Sequence, residues 1–223
     1  MVIPTKFRTA TEAGIASYSY VDIASGTGYV TFYGSNVVDD GTETYSLSEN
    51  ITYSNDKLTI IEQGGTPDAK RLDLDFDLTQ FKLPRRIKGT AICNVSIIFG
   101  DANTANHDGV AYVVVRFRRV RGGVETELAA NTKSDTITVG SQVVDLNVMQ
   151  VEVDLSTGYS FKKDDILRVT VELWSTGGSS GMKGAILHDP ADRDVTTADY
   201  GDTIPSTPDS SQLSIYTPFD LDL

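Results

Sequence analysis

Two histidines, one cysteine and one G-x-S-x-G run bound the chemistry open to this 223-residue chain. Gly177-Gly178-Ser179-Ser180-Gly181 has the spacing of a nucleophile elbow, which a strand must enter and a helix must leave so that the serine stands exposed on the turn between them. The alternating residues before it supply the strand. The MKGAILHDP that follows is too short and glycine-marked for the helix, and His188 stands too close for the order serine, acid, histidine. The run is read as a loop. His107 and His188, both in polar stretches, leave few candidates for proton transfer. No catalytic residue and no cofactor is assigned, and the sequence predicts that the chain is not an enzyme.

Two stretches have metal-ligand character. Asp101 to Gly109 (DANTANHDG) sets oxygen donors on alternate residues, as calcium loops do, with Asp101, Asn103 and Asp108 as candidates. It breaks the EF-hand rule, because Ala105 stands where a third ligand is needed, Asn106 where the sharp turn needs glycine, and Tyr112 where the bidentate glutamate belongs. His188 to Asp194 (HDPADRD) gathers one imidazole and three carboxylates, with His188, Asp189 and Asp192 as candidates for a divalent ion at a subunit contact. Cysteine is missing there, and closed zinc sites take four well-spaced ligands. Both stretches are read as Asx-rich solvated loops, with no metal site assigned.

The remaining charged and aromatic residues have structural readings. Asp73, Asp75 and Asp77 are spaced by two, as the wet face of an amphipathic strand is. The basic groups Lys82, Arg85, Arg86, Lys88 and Arg116, Arg118, Arg119, Arg121 are expected to pair with carboxylates across strands or across a subunit interface. A formal net charge of −12 repels phosphate, so no nucleic-acid partner is expected. Trp174 with Tyr18, Tyr20, Tyr29, Phe32 and Tyr33 offers the makings of an aromatic platform for sugars. Cys93, in an apolar strand pattern, reads as a small buried hydrophobe.

These residues must be held by strands. Leu72, Leu74, Phe76 and Leu78 alternate with the three aspartates, and Leu167, Val169, Val171 and Leu173 alternate with Arg168, Thr170 and Glu172. Gln142 to Trp174 reads as a long antiparallel hairpin whose first strand changes its apolar face near Met149 and Gln150, implying a bulge or burial on both faces. Residues 86–99 and 109–120 read as a second hairpin, and residues 18–23 and 28–34 as two strands around a Ser/Gly turn. Residues 188–211 read as a long loop with one helical turn. Residues 1–17, polar with Pro4 and Gly14, form an extended N-terminal arm, and 18–223 a single domain. The predicted fold class is all-β: an antiparallel two-sheet β-sandwich of jelly-roll type with long loops. No stretch has the apolar length of a membrane span or a signal peptide, so no membrane partner is expected.

GTGYVTFYG, FKKDDILRVTVELW and the Leu187-His188-Asp189-Pro190 loop together resemble virion structural proteins of tailed bacteriophages. The resemblance implies a capsid decoration or other head-exterior protein, made in the host cytoplasm and located in the virion. Its partners would be the major capsid protein, other virion subunits and further copies of itself. The alternative reading is a carbohydrate- or receptor-binding sandwich of a phage tail or secreted protein.

Overall fold

Alternation of apolar and polar residues produces strands almost everywhere in this chain. The computed structural model describes residues 27–39, 41–52, 54–62, 68–100, 108–177, 182–190, 195–201 and 213–220. The arm at 1–17, the strand at 18–23, Asp101, Asn103, His107, Ser179 and Asp192 lie outside the described residues. The elements are β1 (Thr27–Asp39), β2 (Thr42–Ser48), β3 (Leu58–Glu62), β4 (Ala69–Leu78), β5 (Arg85–Ile87), β6 (Thr90–Gly100), β7 (Gly109–Arg121), β8 (Val124–Glu127), β9 (Thr132–Lys133), β10 (Ile137–Val139), β11 (Val144–Asp154), β12 (Tyr159–Phe161), β13 (Ile166–Gly177), β14 (Lys183–Leu187), α1 (Thr197–Tyr200) and β15 (Leu213–Asp220).

The strands build two layers, so the chain is the all-β sandwich its sequence predicts. One layer runs β10-β7-β13-β4, with β8 and β9 also on β7; the other runs β2-β1-β15-β6-β14-β3, with β11 on the far edge of β6. The layers are joined where β2 lies beside β4 at Ser46↔Asp77 and Leu47↔Leu78. That pairing is parallel, so hydrogen bonding makes one continuous mixed sheet folded over itself. The inward faces meet in a core that includes Phe76, Phe117, Val169 and Val171 from one layer and Cys93, Val95, Val151 and Ile215 from the other. Each such side chain taken from water contributes about 1.5–3 kcal/mol.

A smaller second core lies on the opposite face of β6, where Ile98 meets Val144, Ala185, Leu187 and Tyr200. Consecutive residues of a strand point to opposite faces. Ile97 therefore serves the main core and Ile98 the second, and the apolar run on β6 is buried on both sides. This also explains the change of phase on β11. Val144 and Leu146 face the second core while Met149, Val151 and Val153 face the first, in unbroken register with β6.

Both long hairpins inferred from the sequence are corrected. β11 pairs with β6, whereas β13 pairs with β7 and β4, so residues 142–174 cross from one layer to the other. β6 and β7 likewise stand in different layers. Periodicity reports which face of a strand is buried, not which strand lies beside it. The expected helical turn is α1. Asp199 Oδ2 accepts hydrogen bonds from the backbone N–H and the hydroxyl of Thr196, both at 2.7 Å, which satisfies donors at the helix start.

Candidate functional site

The outer face of the β7-β13-β4 layer carries an extended polar constellation. Thr170, Glu172 and Trp174 point outward from β13 between core residues, beside the aspartates of β4 and the arginines of β7. Glu172 is only 1% exposed. Its carboxylate is held by Arg116 Nε at 2.8 Å and Trp174 Nε1 at 2.7 Å, with Lys70 Nζ at 3.5 Å. Arg168 forks onto Asp77 at 2.6 and 2.7 Å and reaches Glu125 at 2.6 Å; the hydrogen bonds to Asp77 push its guanidinium further above its ordinary pKa. Thr170 donates to Asp75. Among the described residues the charges named here each face a partner, so the arrangement joins strands.

This face also decides the aromatic platform. Trp174 stacks beside Tyr112, with centroids 6.1 Å apart and planes at 12°, and Lys133 Nζ sits 3.5 Å above the Tyr112 ring. The Tyr112 hydroxyl donates to Asp68 at 3.0 Å. Lys133 thus covers one face of the Tyr112 ring. Of the other candidates, Phe32 is core and Tyr29 donates its hydroxyl to Thr90 O, while Tyr18 and Tyr20 lie outside the described residues.

A groove opens at the seam between the layers. Parallel strands end on the same side, so Glu49–Ile51 after β2 and Thr79–Arg85 after β4 leave the sandwich together, beside the start of β1. Between them lies a groove of about 660 Å³. Its base is aromatic: Phe219 has Phe32 at 6.2 Å and Phe81 at 6.4 Å, and Phe81 has Phe161 at 4.9 Å. Ile51, 59% exposed, and Leu83, 70% exposed, stand at its rim with Lys82 and Arg85. The sequence signal for this site is faint, because its apolar residues sit in loops and follow no period.

His188, expected in a solvated loop, is fully buried, and so is Asp189. Its Nε2 lies 3.0 Å from Thr59 Oγ1, Thr59 Oγ1 lies 2.9 Å from the Tyr45 hydroxyl, and that hydroxyl donates to Glu43 at 2.8 Å. The ring abuts Tyr45 edge-on at 5.6 Å and Phe76 at 6.1 Å. Burial lowers its pKa to about 4. Asp108 is exposed and accepts the Ser141 N–H at 3.1 Å. Gly177, the first residue of the G-x-S-x-G run, has φ 76° and brings its Cα so near the Asp108 carbonyl that a Cβ would stand 2.7 Å from it. That glycine is required by the backbone. Cys93 is buried as expected, and burial pushes its thiol pKa up.

Among the described residues no three His, Cys, Asp or Glu side chains are grouped to hold a metal ion, and no helix is long and apolar enough to cross a membrane. No family model and no curated protein matches the sequence. Solved structures similar to it include an aminopeptidase from a marine sediment archaeon of the Thaumarchaeota, at 9% identity and TM-score 0.46, covering 85% of this chain and 36% of that one. A CocE/NonD family hydrolase from Staphylococcus aureus is similar at 10% identity and TM-score 0.45, covering 87% and 37%. The VP2 subviral particle of infectious bursal disease virus is similar at 10% and 0.28, covering 86% and 42%. The chain thus spans little more than a third of the length of the two hydrolases. The expectation that the chain is not an enzyme does not stand against this comparison, in which hydrolases come ahead of the viral capsid protein, a likeness of fold alone. A sequence scan for nucleophiles has no means of seeing such a likeness, which lies in strand arrangement at about one identical residue in ten.

Proposed function

We propose that this chain is a structural component of a virus particle, a head-exterior sandwich that assembles with a second copy of itself through the seam groove. The observation that carries the reading is the groove. Ile51 and Leu83 hold large apolar surfaces in water beside an aromatic base, and covering each contributes about 1.5–3 kcal/mol. Charge favours a copy of the same chain. Lys82 and Arg85 have no ion-pair partner among the described residues and outnumber Glu49, the acid on the same groove, whereas the chain as a whole carries −12, so these two cations meet an acidic surface on a second copy. The resemblance to phage virion proteins supplies the setting, with the major capsid protein as the surface to which the assembly attaches.

Light scattering after size exclusion tests the contact. Wild type is expected to run as an oligomer, and the paired change Leu83→Glu with Arg85→Glu as a folded monomer by circular dichroism. A monomeric wild type at high concentration, or an unaltered oligomer in the double variant, overturns the groove's role. Quantitative mass spectrometry of purified particles tests the setting, with an expected copy number in the range of the capsid subunits; a protein missing from particles contradicts it.

A further inference from the structure

The chain of hydrogen bonds at His188 has a direction that follows from proton counting. The Tyr45 hydroxyl has one hydrogen and gives it to the Glu43 carboxylate, so its oxygen must accept from Thr59. Thr59 has then spent its own hydrogen, and its oxygen must accept from His188 Nε2. The neutral ring therefore carries its proton on Nε2. Nδ1 is left with a lone pair that is buried and without a hydrogen-bond partner among the described residues. A second proton has only Nδ1 to go to, and there it makes a buried cation for which the ring's own backbone and the Asp189 charge return less than burial costs, a cost the folded state avoids by opening.

The element most easily opened is the one His188 fastens. Among the described residues β3 ends the sheet and pairs with β14 alone, from Leu58↔Leu187 to Glu62↔Lys183, and it is only half-buried. Beyond that short ladder it is tied by Thr59 to the ring, and just before it the Lys57 carbonyl accepts the backbone N–H groups of His188 and Asp189 at 3.1 and 3.3 Å. The charged and titratable groups around the ring come from every neighbouring element. Asp189 follows in the chain, and its negative charge offsets part of the burial cost. β2 supplies Tyr45 and, beyond it, Glu43; the segment before β3 supplies Asp56 and Lys57; and Lys57 is turned away to Asp199 of α1 at 2.9 Å. β4 supplies the ring of Phe76.

We propose that His188 is an acid-operated latch: neutral, it holds edge strand β3 on β14, and when protonated it releases β3 and bares the β14 edge with the second core behind it. Ala185, Ile186 and Leu187, fully buried in the closed form, become available for pairing with another strand. The latch operates wherever the protein works and does not rest on the groove.

Hydrogen exchange on the intact chain tests it, read as protection relative to intrinsic rates at pH about 7.5 and about 4.5. Amides that bond across the β3-β14 pair, within Thr59 to Ile61 and Ala185 to Leu187, are expected to lose at least tenfold in protection on acidification, while those between β6 and β11 lose no more than the fall in global stability measured by denaturant at the same pH values. In His188→Gln, which cannot take the charge, the difference between the two pH values is expected to vanish. Equal protection at both pH values in wild type, or the same acid loss in His188→Gln, overturns the latch. A second reading needs no change at this site: in His107→Gln the one remaining imidazole signal is His188, and its titration at the ordinary histidine pKa of about 6.5 overturns the proposal equally.

Discussion

Glu172, on the doubly paired strand β13, and His188, just after β14, are both buried polar side chains of the same sandwich, yet their surroundings treat them oppositely. Glu172 lies under a cover of Arg116, Trp174 and Lys70, so the cost of taking its carboxylate from water is offset by two close hydrogen bonds and a neighbouring cation. His188 has one nitrogen satisfied and the other without a hydrogen-bond partner among the described residues. The contrast separates two uses of a buried polar group. On the β7-β13-β4 face compensation fixes the register of three strands; at the β3 edge the missing partner makes the fold conditional on proton concentration.

The largest effect should come from breaking the compensated side. Glu172→Ala strands Arg116 and the Trp174 indole, and urea unfolding is expected to show a loss of about 3 kcal/mol, the lower end for removing one partner of a buried pair. A loss under about 1 kcal/mol would show that Glu127 and Asn131, which also reach Arg116, are enough by themselves.

Acid should weaken the uncompensated side by a similar amount without any mutation. His188 has a folded pKa of about 4 against an ordinary 6.5, so between those values the unfolded chain binds more protons. Stability is therefore complete above pH 6.5 and falls as the pH drops toward 4, by about 3 kcal/mol at about 1.4 kcal/mol for each unit. Denaturant titrations at several pH values should show this slope in wild type and lose it in His188→Gln. Asp165, lowered to about 2 by its fork with Arg121, acts in another window. Its contribution is present above the ordinary carboxylate pKa and is lost only as the pH falls on toward 2, so the two groups can be told apart.

Smaller changes sharpen the comparison. Thr59→Val removes the acceptor for Nε2 and should cost about 1–2 kcal/mol at neutral pH, with lower protection confined to β3 and β14. Glu125→Gln, at a 41% exposed end of the Arg168 network, should cost no more than about 0.5 kcal/mol in the same unfolding assay.

How much of this is readable in the sequence depends on the distance over which each feature is determined. Strict alternation on β4 and β13 fixes their core faces, and the phase change on β11 marks a strand that serves two cores. The same alternation places Glu172 on a wet face. Its burial comes from Arg116 and Lys70 on neighbouring strands and from Trp174, which only the three-dimensional arrangement brings together. His188 was misplaced for a related reason. Its neighbours Asp189, Pro190 and Asp192 look like a solvated loop, whereas the ring is enclosed by Tyr45, Thr59 and Phe76, all more than a hundred residues earlier. The groove depends on two loops leaving a parallel seam side by side, and the short parallel contact of β2 with β4 leaves no periodic signal.

The comparison rests on where the proton of the neutral His188 ring sits, and ¹⁵N spectroscopy of the imidazole in His107→Gln at neutral pH measures that directly. The hydrogen-bond chain through Thr59 and Tyr45 predicts a protonated Nε2 and a bare Nδ1. A proton on Nδ1, or on both nitrogens at pH about 7, would contradict it.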